Sequence, residues 1–279
     1  MKTKYLMAAL LALAGGGLTA TAQTVTSGLN DLVLGFYATG GTGATTDLEV
    51  DLGNVSQFYG VGGTLTLSSL NTDLSSTYGS SWNTRTDLFW GVVGTTGSAN
   101  GTTINSNTIA AKTIWGGSLN LGSGSTPWNK SSTFTQQTTA NAVATLYSGA
   151  SGSLNGATAL SDNTAGALIS NALAGSWTKQ EGSSNTLAFG STFNPRSSFD
   201  ITTNIAAGSF AAADLYEVQP GTGAGTELGT FALSSGGNLT YGASLGAATV
   251  PEPSTYAAIL GATMLGFVSL YRRSQRMKG

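Results

Sequence analysis

The sequence predicts a mainly β protein: a single antiparallel, sandwich-like β-rich domain with a few short helices. An N-terminal signal helix precedes it and a C-terminal transmembrane helix follows. Three observations point to this class. Only 9% of the 279 residues are charged and 40 are glycine, against roughly 25% charged residues in an average soluble domain. Ser, Thr, Asn and Gly supply the polarity, and these residues make poor helices, because they lose backbone entropy or compete for backbone hydrogen bonds. Five Trp, nine Tyr, ten Phe and a net charge of −2 oppose disorder, which goes with few aromatics and high charge. Finally, the apolar residues fall in short alternating or continuous runs bounded by glycine, as strands do.

Taken in order, residues 1–22 read as a signal peptide. Lys2 and Lys4 precede an apolar run over residues 5–14, glycines break it, and Ala20-Thr21-Ala22 offers the small-x-small pattern of a signal-peptidase site. Cleavage there makes Gln23 the new N-terminus. A run of ten residues is too short to remain as a spanning helix, which needs about 20.

Residues 23–246 form the exported domain. Residues 31–38 are apolar on both faces, as in a strand buried on two sides, and a glycine turn follows at 40–43. Residues 47–53 alternate strictly, with Leu48, Val50 and Leu52 on one face and Asp47, Glu49 and Asp51 on the other. Residues 87–94 and 113–121 are further strands. Residues 228–234 and 239–242 flank Gly236-Gly237 as a hairpin. Three helices are expected, over 67–78, 138–147 and 164–177, each carrying apolar residues near helical spacing. The alternative organisation is two smaller β-rich lobes divided near residue 125.

Charge and composition exclude several function classes. Between residues 23 and 250 there are five basic and twelve acidic residues, a balance opposed to nucleic-acid binding, which draws on Lys and Arg contacts to phosphate. The chain has no Cys and no His. Disulfides, thiolate nucleophiles, Cys-based metal sites and the commonest general base are therefore absent. An enzyme is not expected.

Candidate sites are few. Asp47, Glu49 and Asp51 stand roughly 7 Å apart along one strand face. That is too far for one Ca²⁺ to take all three at 2.3–2.6 Å, so an oxygen of the 40–46 turn would have to join one or two of them. The plainer expectation is a solvated face that discourages edge pairing. Ser176-Trp177-Thr178-Lys179 matches Ser-x-x-Lys and Ser161-Asp162-Asn163 matches Ser-Asp-Asn. Their order is reversed relative to the penicillin-recognising enzymes and no Lys-Thr-Gly exists. The glycine runs at 40–43 and 221–225 open no helix and carry no phosphate-binding lysine, so they read as turns. Trp82, Trp90, Trp115, Trp128 and Tyr37 are candidates for stacking on sugar rings, and Trp128, beside Pro127 in a polar loop, is the best placed for glycan contact.

The end of the chain is the most specific region. Residues 247–255 are a linker containing Pro251-Glu252-Pro253. The prolines fix an extended backbone, so a helix starts only after them. Residues 256–271 carry no charge and span about 24 Å as a helix. The shortfall against a ~30 Å hydrocarbon core is met by snorkelling of Arg272 and Arg273. Residues 272–279 form a basic tail that stays cytoplasmic by the positive-inside rule.

Pro251-Glu252-Pro253, the apolar run and Arg272-Arg273, in that order, resemble a PEP-CTERM sorting signal. Such signals occur in exopolysaccharide-making Gram-negative bacteria and are read by exosortases, membrane-embedded transpeptidase-like enzymes. The resemblance covers about thirty residues. Segments 30–59, 87–95 and 214–242 also look like parts of other proteins carrying this signal. The sorting resemblance implies an inner-membrane-anchored precursor that signal peptidase and exosortase process, then a cell-surface or extracellular-matrix protein, and its β-rich body is expected to be non-catalytic. A carbohydrate-binding module of the exopolysaccharide layer is the alternative, and a secreted glycoside hydrolase a more distant one. No cofactor is expected apart from the Ca²⁺ considered above.

Overall fold

The computed structural model describes residues 27–62, 64–118, 130, 132–150, 158–159, 166–181 and 210–242. The expected signal segment, Trp128, the Pro-Glu-Pro linker, the apolar run and the basic tail all lie outside these residues. Among the described residues no helix is long and apolar enough to cross a membrane.

In chain order the elements are β1 (Asp31–Ala38), β2 (Thr46–Asn54), β3 (Leu65–Ser69), α1 (Asn71–Tyr78), β4 (Leu88–Thr95), β5 (Thr102–Ile104), β6 (Asn107–Ile109), β7 (Ile114–Ser118), α2 (Thr133–Ala150), β8 (Thr158–Ala159), β9 (Gly166–Ser170), α3 (Trp177–Glu181), β10 (Phe210–Val218), β11 (Thr226–Ser234) and β12 (Asn238–Gly242). β5 and β6 make a small separate hairpin. The other ten strands join one sheet in the order β3-β12-β11-β10-β7-β4-β1-β2-β9-β8. Every pairing is antiparallel. The protein is therefore mainly β, and its sandwich-like layering comes from one curled sheet. Blocks of strands from the two halves of the sequence meet three times in that sheet: β7 pairs with β10, β2 with β9, and β3 with β12.

The curl follows from a distance argument. β2 and β12 stand six places apart in the strand order, which is about 29 Å in a flat sheet at ~4.8 Å per strand. Yet Phe58, in the single 3-10 turn Val55–Phe58 that follows β2, has its ring 5.0 Å from that of Tyr241 on β12. The Tyr241 hydroxyl also donates to the Phe58 carbonyl at 3.0 Å. Only a sheet bent over its own face brings them together.

The concave face holds the larger core. Alternate residues of β1 (Leu32, Leu34, Phe36), β2 (Leu48, Val50, Leu52), β4 (Leu88, Trp90, Val92) and β11 (Phe231, Leu233) bury there. The opposite face carries Val33, Tyr37, Val93, Tyr216 and Val218, covered by Val143, Leu146 and Tyr147 of α2 and by Trp177 of α3. β1 is thus buried on both faces, as its continuous apolar run predicts.

Local features explain several boundaries. The Tyr78 hydroxyl, at the end of α1, donates to the Phe36 carbonyl at 2.7 Å and accepts from the Leu48 N–H at 3.1 Å, stitching β1 to β2. Gly237, at φ +77°, closes the β11–β12 hairpin through its N–H to the Ser234 carbonyl. The helix expected over 138–147 is present and longer. Of the helix expected over 67–78 only residues 71–78 are helical, because Leu67 lies in β3, the strand paired with β12. The helix expected over 164–177 is replaced by β9 and a turn. β9 joins the open edge of β2, with Glu49 opposite Ala167 and Leu48 opposite Leu168, and sheet pairing outweighs local spacing there.

Candidate functional site

The three carboxylates of β2 point away from the concave core, as alternation requires, but the surface they meet is not water. α3 lies across Asp47 and Glu49. Asp47 is 1% exposed and Glu49 is fully buried. Asp47 caps the start of α3: one carboxylate oxygen accepts from the Thr178 N–H at 2.6 Å, the other from the Thr178 hydroxyl at 2.7 Å. The Ser176 hydroxyl completes the cap by accepting from the Lys179 N–H at 3.2 Å while donating to the Asn171 carbonyl at 3.1 Å. Ser176 is thus a buried capping residue at the start of α3, not at the end of a helix over 164–177 as the sequence suggests.

Burial raises the Asp47 pKa to about 6, against the lowering effect of its bonds to Thr178 and Ser176. Glu49 is raised well above the usual carboxylate range, first by burial and then by the neighbouring Asp47 charge. The Trp177 N–H acts in the opposite sense and is the weaker influence. Neither Glu49 oxygen has a partner at hydrogen-bonding geometry. A carboxyl group in that setting holds its proton, since an unpaired buried charge is far costlier. Asp51 is half-buried and bonds the Gly53 N–H at 2.7 Å. Burial lifts it to about 6 despite that bond, with Asp31 adding a like charge.

The expectation of a solvated acidic face is therefore corrected for Asp47 and Glu49. The physical reason is the cover supplied by Trp177 and Thr178, which arrive some 130 residues later in the chain. The three carboxylates do not converge on one point either. Among the described residues no group of three or more acidic side chains could hold a metal ion. A Ca²⁺ here would have to draw most of its oxygens from elsewhere than Asp47, Glu49 and Asp51 together.

The aromatic candidates divide plainly. Trp82, Trp90, Trp115 and Tyr37 are at most 4% exposed and belong to the two cores, so none is a sugar platform. Trp115 instead donates its indole N–H to the Tyr59 hydroxyl at 2.9 Å, and Tyr59 donates to the Glu217 carboxylate. The glycine run at 40–43 is a turn, as expected. Arg85 fills it, donating to the Gly40 and Thr42 carbonyls, to the Tyr78 carbonyl and to Asp87 at 2.8 Å.

The described residues also form a concavity. Between α2 and the segment from β9 into α3 lies an open groove of about 420 Å³, lined by Thr138, Asn141, Ala142, Ala172, Lys179 and Gln180 among others. Nothing in the local sequence marks it. Its α2 residues recur every three or four positions, but they are small and polar and so carry no amphipathic signal. Ser176 was the one available sign of a helix start at Trp177, as a capping residue just after a glycine.

Comparison with protein-family models, with curated proteins and with solved structures finds no match to this chain.

Proposed function

We propose that this chain is an exported, exosortase-processed cell-surface or extracellular-matrix protein whose β-rich body acts through its surface and not by catalysis. The observation that carries the reading is the order of three parts in one stretch: Pro251-Glu252-Pro253, sixteen uncharged residues, then Arg272-Arg273. Each part has a physical role. The prolines hold an extended peptide that an enzyme can grip, the apolar run lodges in the bilayer, and the arginines keep the end cytoplasmic. Ala20 and Ala22 before Gln23 supply the matching export step. The non-catalytic reading of the body draws support from its acids: Asp47 and Glu49 serve α3 and the sheet interior, and Glu217 is engaged by Tyr59 and Gln219.

Intact mass spectrometry of the protein recovered from its native cells tests this. The expected species begins at Gln23 and ends near residues 251–253. A chain that still ends at Gly279 overturns the sorting reading.

A second reading, contact with the polysaccharide of the surface layer, is favoured by the groove between α2 and α3. It has the volume of a small-molecule site and a lining that mixes polar side chains with three alanines.

A further inference from the structure

The groove has chemistry of its own. Thr138, Asn141, Ala142 and Thr145 share one face of α2 by their three- and four-residue spacing, and Ala172, Ala174, Lys179 and Gln180 form the facing wall. Two of the polar groups are already committed to holding these walls. The Thr145 hydroxyl donates to the Asn141 carbonyl at 2.9 Å, and the Gln180 amide donates to the Ala174 carbonyl. Three are not: the Thr138 hydroxyl, the Asn141 carboxamide and the Lys179 ammonium have no partner among the described residues.

Lys179 is the informative member. Residues 23–250 hold only five basic side chains against twelve acidic ones, and Arg85 is consumed by Asp87 and three carbonyls. Lys179 has no acidic partner among the described residues and stands beside a concave, hydrogen-bonding surface, so it offers a local attraction for an anion in a field that otherwise repels anions. The apolar part of the lining is small: Ala142 is buried on the α2 side, and Ala172 and Ala174 are exposed on the facing wall. A pyranose ring presents the complementary pair of surfaces: a C–H face to lie on methyl groups and an equatorial belt of hydroxyls to meet an amide and a hydroxyl. A carboxylate on that ring accounts for the lysine.

We infer that the groove between α2 and α3 binds a carboxylated sugar, the uronate unit of an acidic polysaccharide. This rests on the second reading above and gives it a ligand class. Thr138 and Asn141 meet the ring hydroxyls, the alanines meet its C–H face, and Lys179 pairs with the carboxylate. The site is shallow and open, so it holds a unit of a longer chain without enclosing it.

The test is titration of the full chain with a galacturonate trimer, followed by calorimetry at physiological salt, with a neutral glucose trimer as control. The trimer of galacturonate is expected to bind, and the neutral trimer to bind at least tenfold more weakly. Lys179→Ala should cost about tenfold in affinity. Ala172→Leu, which bulks the facing wall from an exposed position, should abolish binding with the melting temperature unchanged. No binding, equal binding of the neutral trimer, or full affinity in either variant overturns the inference. The sorting proposal fails separately: a chain trimmed near residues 251–253 that ignores galacturonate removes the groove assignment alone, and a galacturonate-binding chain ending at Gly279 removes the sorting assignment alone.

Discussion

The indole of Trp177 occupies the space that a side chain on Gly35 would need: a Cβ at Gly35 would lie 2.0 Å from the Trp177 Cε3. Gly35 sits in β1 directly opposite Glu49 on one side and Gly91 on the other. The two glycines in neighbouring strands leave a shallow dent in the convex face, and the largest side chain of α3 fills it. Trp177 is 1% exposed there, and its neighbour Thr178 is held by Asp47. One contact thus seats α3, covers Glu49 and shapes one wall of the groove.

Gly35→Ala tests that seat. The added methyl meets a rigid ring backed by α2, so the overlap cannot be relieved by a side-chain swing. The expected cost is about 1–3 kcal/mol, typical of overpacking a filled core. Protease cleavage within residues 171–181 should increase at the same time, because α3 loses its anchor. A melting temperature equal to that of the parent would show that Trp177 does not depend on the dent.

The buried carboxyls make stability fall with rising pH. Asp47, Glu49 and Asp51 all have folded pKa values above their ordinary ones, so the folded state binds more protons than the unfolded chain. Their contribution is fully present below about pH 4 and is lost as pH rises through about 6, with Glu49 extending the loss to higher pH. For Asp47 alone a rise from 3.8 to about 6 corresponds to roughly 3 kcal/mol. The melting temperature should therefore be higher at pH 5 than at pH 8. Glu49→Gln, which keeps the shape of the protonated acid, should shrink that difference by raising the value at pH 8. Adding Ca²⁺ or a chelator should shift neither, if a proton is what neutralises Glu49. A pH-independent melting temperature would contradict the arrangement.

Arg85 organises the 40–43 turn through the planar fork of its guanidinium, which reaches the carbonyls of Gly40, Thr42 and Tyr78 together with Asp87. Lysine keeps the charge but not the fork. Arg85→Lys should destabilise the protein nearly as much as Arg85→Ala, by about 2 kcal/mol, as expected when hydrogen bonds to a charged group are lost. Chemical denaturation of both variants reads this out. A lysine variant with parental stability would mean that the charge alone suffices.

Much of the strand layout was legible in the residues themselves. The bounds of β1, the apolar face of β2 and the Gly236-Gly237 hairpin all follow from alternation and turn chemistry, which act over a few residues. The errors have one cause. Residues 164–177 carry apolar side chains at helical spacing, yet β9 forms because the edge of β2, more than a hundred residues earlier, offers unpaired backbone groups. β10 was missed for a similar reason: Ala211, Ala212 and Ala213 have little strand preference, and β7 and β11 hold them from both sides.

The sequence by itself determined the class of the protein, its acidic body without Cys or His, and the succession of tail motifs from which its destination is proposed. These depend on composition and on motifs contiguous in the chain. Tertiary structure alone decided that Asp47 and Glu49 are interior groups, that four aromatic residues are core, and that α2 and α3 face each other across a groove. Alternation states which residues share a strand face, but what comes to lie against that face is settled by segments far away in sequence, through packing that no local pattern encodes.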